Sequence, residues 1–253
     1  MLLERAATLK TDRTRLSTRV ADLIARTILE EGLPQGHRLP PEREMIEHFG
    51  VGRATLREAL RILESDGLLR MRMGPAGGPE VSRPEIDRVT RVLFLFLVTS
   101  QATLRDIYAV RAAVDPATAR LAAVEADPRR DQGLMESVSR MKASVSDERA
   151  FLRECETFHR LVAESCRNPM FAAVSLSLHT ILDGHEAGVR YSRAALRSVV
   201  ELHTAITTAI VAGDADAAEE AAADHVRTAV EYFEKKFPRS LDTVLQPSHF
   251  PDF

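Results

Sequence analysis

The stretch that most constrains this chain is residues 39–78, LPPEREMIEHFGVGRATLREALRILESDGLLRMRMGPAGG. Wound into a helix, residues 53–65 place Leu56, Ala59, Leu60 and Leu63 at i, i+3, i+4 and i+7, one apolar stripe. Arg53, Thr55, Arg57 and Arg61 fall off that stripe and are expected to face solvent. Arginines at i and i+4 near the start of a short helix suit a major groove, where guanidinium groups reach phosphates or guanine edges. Pro40 and Pro41 favour an extended entry into a preceding helix, and Gly50, Val51 and Gly52 supply the turn between the two. After Gly67, residues 68–73 and 79–82 can pair across a loop tip of Gly74, Pro75, Ala76, Gly77 and Gly78. Helix, turn, helix and hairpin together outline a winged helix-turn-helix.

The assembled pattern in residues 16–82 resembles the GntR family of bacterial transcription regulators. An amphipathic first helix is followed by LPPEREM, VGRATLREAL, the ESDGLL junction and the GGPEV end of the wing. The resemblance implies contacts to double-stranded operator DNA by Arg43 in the second helix, by Arg53, Thr55 and Arg57 in the recognition helix, and by the wing backbone near Gly77. At Gly52 this chain departs from the family's usual serine. Glycine keeps the turn but lacks the capping hydroxyl, a difference of a few tenths of a kcal/mol.

The net charge of −3 divides unevenly along the 253 residues. Residues 13–83 carry 12 arginines and 10 acids, a balance of +2, whereas residues 84–253 carry 20 basic and 25 acidic side chains, a balance of −5. A weakly basic head on an acidic body fits a chain that touches DNA at one end. The longest strongly apolar run, residues 92–98, is too short to span a bilayer, and no apolar secretion signal is evident, so no membrane partner and a cytoplasmic location are expected. Cys155 and Cys166, eleven apart in one expected helix, lie about 16 Å apart by helical rise, too far for a disulfide.

Breakers and caps divide the chain into a tail over 1–12, a DNA-binding domain over 13–83, a connecting helix and joint over 84–103, a helical domain over 104–237 and a tail over 238–253. The expected helices of the body are 85–98, 104–125 with Pro116 as a kink or interruption, 131–145, 147–166, 170–189, 192–211 and 214–236. Residues after Phe237 read as loop. The fold class is therefore mainly α, a winged helix-turn-helix followed by an all-α bundle.

Residues 104–233 resemble the FCD effector domain of FadR-type GntR regulators through IYAVRAAVDPATARLAA, ETFHRLVAESCRNPMF, ELHTAI and GDADAAEEAAADHV. In many such domains an aspartate and three histidines bind a divalent metal. His159, His203 and His225 fall on the histidine positions, each on a different expected helix; Cys155 stands at the aspartate position. Spacing by itself does not gather the three, and unrelated histidines are the plain alternative. A Cys155 thiolate with three imidazoles would favour zinc over manganese or magnesium. Alternatively, the thiol packs as a small hydrophobe and leaves a three-histidine site. Arg111 matches the family arginine that resembles a contact for an acidic effector; a helix-surface salt bridge to Asp115 at i+4 is its other reading. Asn168 also matches a family asparagine, although before Pro169 it more simply shapes a turn.

Together these features imply a ligand-responsive regulator, acting as a dimer on an inverted-repeat operator and sensing a small carboxylic acid. A metal-free bundle sensing a bulkier acyl effector is the alternative. A metal-dependent hydrolase is a remote one, since no HExxH, nucleophile elbow or P-loop accompanies the histidines.

Overall fold

The computed structural model describes residues 13–74, 77–124, 127–186, 191–237 and 239–249. The expected tail over 1–12, Pro75 and Ala76 of the wing tip, residues 187–189 of one expected helix, and 250–253 lie outside the described residues. Two units divide between Arg88 and Val89, in the first turn of one helix.

The first unit begins with α1 (Arg13–Glu30), α2 (Glu42–Phe49) and α3 (Arg53–Ser65). Pro41 enters α2 in an extended conformation, and Gly50 closes it at φ 60°, a left-handed position that suits glycine. Val20, Ile24 and Ile28 of α1, Met45 and Phe49 of α2, and Leu56, Ala59, Leu60 and Leu63 of α3 share one buried cluster. Burial of that stripe fixes which side of α3 is left to solvent. β1 (Leu69–Arg72) pairs antiparallel with β2 (Gly78–Val81), Leu69 opposite Val81 and Arg72 opposite Gly78. Leu69 and Val81 join the same core, which anchors the hairpin beneath α3.

The second unit holds α4 (Ile86–Thr99), whose first residues precede the division, then α5 (Leu104–Val124), α6 (Pro128–Ala143), α7 (Glu148–Ser165), α8 (Pro169–Glu186), α9 (Arg193–Ala212) and α10 (Ala215–Lys236). Their starts follow local chemistry: the side chains of Asp127, Asp147, Ser192 and Asp214 each accept backbone N–H bonds at the head of a helix. Asp127 with Pro128 starts α6 three residues before the expected Asp131, because proline fits the first helical position. α5 continues through Pro116 without interruption. The ring is buried, and packing on both sides carries the helix past one missing hydrogen bond.

One apolar cluster joins α5, α6, α7, α9 and α10 around Leu134, Phe151, Phe158 and Ile210; a second joins α4, α5, α8 and α10 around Phe94, Ile107, Ile181 and Phe233. The segment expected to be loop after Phe237 is irregular but anchored. Leu241 and Leu245 are buried in the second cluster, and their backbones bond Arg105 and Ala102. α9 is long and apolar enough to cross a bilayer by length and composition alone, yet it supplies Leu196, Ile206 and Ile210 to the first cluster.

Gly52 precedes α3 at φ −72° and ψ 153°, a conformation open to any residue, and an added Cβ would meet nothing within 4 Å. Gly52→Ser should therefore stabilise the protein by a few tenths of a kcal/mol through a new N-cap, seen as a higher denaturant midpoint at unchanged slope.

Candidate metal and ligand site and DNA-reading surface

The chemistry of the second unit is concentrated where α5, α7, α8, α9 and α10 meet. His159 comes from α7, His203 from α9 and His225 from α10, and one ring nitrogen from each lies within 4.8 Å of the others. His203 and His225 are buried, with their Nε2 atoms 3.4 Å apart; His159 is half-buried. Among the described residues these three form the group able to hold a metal ion. Phe158 stacks on His203 at 4.1 Å between centroids, so the residue beside one histidine orients another.

Nδ1 of His203 and Nδ1 of His225 are buried without a hydrogen-bond partner. Burial, followed by the mutual repulsion of the imidazoles and by Arg111, pushes His159 and His203 well below the usual histidine pKa. Burial, then the Arg111 guanidinium, holds His225 down at about 3. All three rings are thus neutral at physiological pH, the state in which imidazole ligates metal. The donor set would suit a divalent ion: three imidazoles converge, two of them with Nε2 atoms 3.4 Å apart.

Cys155 shares the cavity of the three histidines but not their group of ring nitrogens. It lines the same cavity one turn before His159, but its sulfur does not join the three-nitrogen group and instead lies 4.0 Å from Met141 Sδ. Cys166 is buried at the end of α7. Asn168 accepts the N–H groups of Met170 and Phe171, shaping the entry into α8.

Arg111 is buried, so its ion pair with Asp115 at 2.8 Å is internal rather than a surface bridge. Asp115 also accepts from Ser175 at 3.1 Å and faces His179 Nε2 at 3.3 Å. Burial acts to raise this carboxyl, but Arg111 and His179 outweigh it and hold it below the usual carboxylate range. Arg111 and the histidines line a cavity of about 130 Å³ whose remaining wall includes Tyr108, Phe151, Tyr191, Val199 and Tyr232. A cavity of roughly 150 Å³ accommodates one benzene-sized molecule, which sets the scale for a ligand. His179 went unread in the sequence because the groups it meets, Asp115 of α5 and His159 of α7, come from other helices, and spacing along α8 does not report them.

In the first unit, Arg43, Arg53 and Arg57 are exposed. Arg43 pairs with Glu47 at 3.2 Å, and Arg57 pairs with Glu42 of α2 at 3.0 Å, bracing the two helices. Thr55 does not join them. It is 7% exposed, one turn before the buried Ala59 and at the edge of the apolar stripe, and so faces inward. Gly77 is exposed on the wing, and a Cβ there would collide with the carbonyls of Arg72 and Gly74, so glycine is required. The wing also exposes Arg70 and Arg72, both paired to the buried Glu80.

The model of bacterial regulatory proteins of the gntR family matches residues 16–76, and that of the FCD domain matches residues 106–228. A putative L-lactate dehydrogenase operon regulatory protein of Escherichia coli (strain K12) is 31% identical over 225 residues, 84% of each chain. The chain belongs to the GntR family. The HTH-type transcriptional repressor NanR of Enterobacter sp. (strain 638) is 29% identical over 221 residues, 85% of this chain and 84% of that one. The solved structure of Streptococcus agalactiae GntR covers 86% of this chain and all of its own, with 25% identity and a TM-score of 0.63. This GntR protein is accordingly a transcription regulator and not an enzyme, and the hydrolase alternative is set aside. Regulators of this family bind DNA and small-molecule effectors.

Proposed function

We propose that this regulator is a cytoplasmic, dimeric repressor that reads an inverted-repeat operator and releases it when a small carboxylic acid enters the α5–α10 cavity. The observation that carries this reading is the convergence of three neutral imidazoles beside a buried guanidinium in one small cavity. His159, His203 and His225 would hold a divalent metal, zinc being the best fit to the nitrogen donors and their spacing. Bound there, the metal supplies an electrophilic anchor for ligand oxygens. Arg111 gives the complementary grip, a planar fork suited to carboxylate. A bulkier acyl effector in a metal-free bundle is the second reading; the three converging imidazoles beside Arg111 favour the metal-linked acid.

On the DNA side, Arg53 and Arg57 at the start of α3 would enter the major groove, with Arg43 and the backbone at Gly77 contacting the flanking phosphates. Two such heads related by a two-fold axis read two half-sites, which is the reason for assigning a dimer. The effector acts by binding one arrangement of the dimer better than the other. The repressor-named relatives support repression as the output.

Arg57→Ala should weaken operator binding by about 1–3 kcal/mol at matched salt, measured by fluorescence anisotropy, and unchanged affinity would remove Arg57 from the reading surface. After equilibration with trace metals and dialysis, elemental analysis should find about one zinc per chain, lost in a folded His203→Ala variant. Less than about a tenth of an equivalent in the parent protein would sink the metal assignment.

A further inference from the structure

We propose that His179 is a positioning residue for the metal ligand His159, and that it ties this ligand to Arg111 through Asp115. The proposal rests on the metal reading above and names a residue outside the ligand group. The ring of His179 lies on that of His159 with centroids 3.7 Å apart and planes 22° apart. Imidazole lone pairs lie in the ring plane, so two rings stacked in this way cannot both aim at one ion. His179 accordingly stands outside the three-nitrogen group.

The edge of His179 is committed elsewhere. Its Nε2 faces Asp115 Oδ2 at 3.3 Å, the same oxygen that accepts from Arg111 Nε at 2.8 Å, while Ser175 donates to Oδ1 at 3.1 Å. An ionised carboxylate only accepts, so this contact favours the tautomer of His179 with its proton on Nε2. Asp115 and His179 are both buried, which removes water as a competing partner. The carboxylate fixes His179, and the flat face of His179 fixes the plane in which the lone pair of His159 points toward His203 and His225. Groups outside a ligand shell commonly set ligand orientation in this way. An acid bound at Arg111 shares that guanidinium with Asp115, so acid and metal act on the same carboxylate.

The test is a zinc titration of the full-length protein against a competing chelator, comparing parent, His179→Ala and His179→Phe. Removing the ring should weaken zinc binding by about 10- to 100-fold. His179→Phe, which keeps a flat face over His159 but loses the edge contact to Asp115, should fall between the parent and His179→Ala. Cobalt(II)-loaded His179→Ala should also show shifted ligand-field bands, whereas His179→Phe should show a smaller shift. A parent protein that binds no zinc overturns both the metal reading and this proposal. Zinc binding by the parent with unchanged affinity in His179→Ala overturns the positioning role alone. A folded His179→Phe as weak as His179→Ala also overturns it, because stacking would then carry nothing.

Discussion

A guanidinium cannot remain buried among apolar helices without a counter-charge, and Asp115 supplies it at the centre of this bundle. The same carboxylate meets Ser175 and His179 from α8, so one side chain of α5 organises two neighbouring polar groups on another helix. Around it the apolar clusters close from both sides, Phe151 and Phe158 from one and Tyr108 and Phe233 from the other. Removing Asp115 would leave Arg111 as an uncompensated internal charge, a loss on the order of 3–5 kcal/mol. The cavity thus borders a polar cluster whose charges are compensated by an internal salt bridge.

That cluster also explains why a bundle domain of this kind can sense a ligand. Buried imidazoles stay neutral and keep their lone pairs, and the buried guanidinium stays charged, so on the proposed reading metal and anion would be held in one dry environment. The DNA-reading head uses the opposite logic. Arg43, Arg57 and Arg70 are exposed and paired with Glu47, Glu42 and Glu80, surface pairs weak enough that phosphate would displace them on the proposed reading.

The elements were legible where local chemistry decides them. The stripe of Leu56, Ala59, Leu60 and Leu63 fixed α3, and Asp147, Ser192, Asp214 and Gly213 marked helix ends that the structure places within a residue or two. Tertiary packing decided the rest. Thr55 lies close enough to the edge of the apolar stripe for packing to turn it inward, Pro116 is carried by its neighbours, and Leu241 and Leu245 bury a segment whose prolines suggest loop. Within the site, the three histidines were recognised only through family resemblance, because helix spacing does not report which helices adjoin. Cys155 illustrates the remaining limit: helical periodicity places it on the face of His159, but whether its sulfur meets a metal or Met141 depends on α6.

The central claim is that three imidazole nitrogens, without the Cys155 sulfur, form the metal site beside Arg111. X-ray absorption on the zinc-loaded protein tests it directly. A first shell of nitrogen and oxygen scatterers at about 2.0–2.1 Å with no sulfur contribution is the result the geometry requires. A sulfur shell near 2.3 Å would contradict it and return Cys155 to the ligand set.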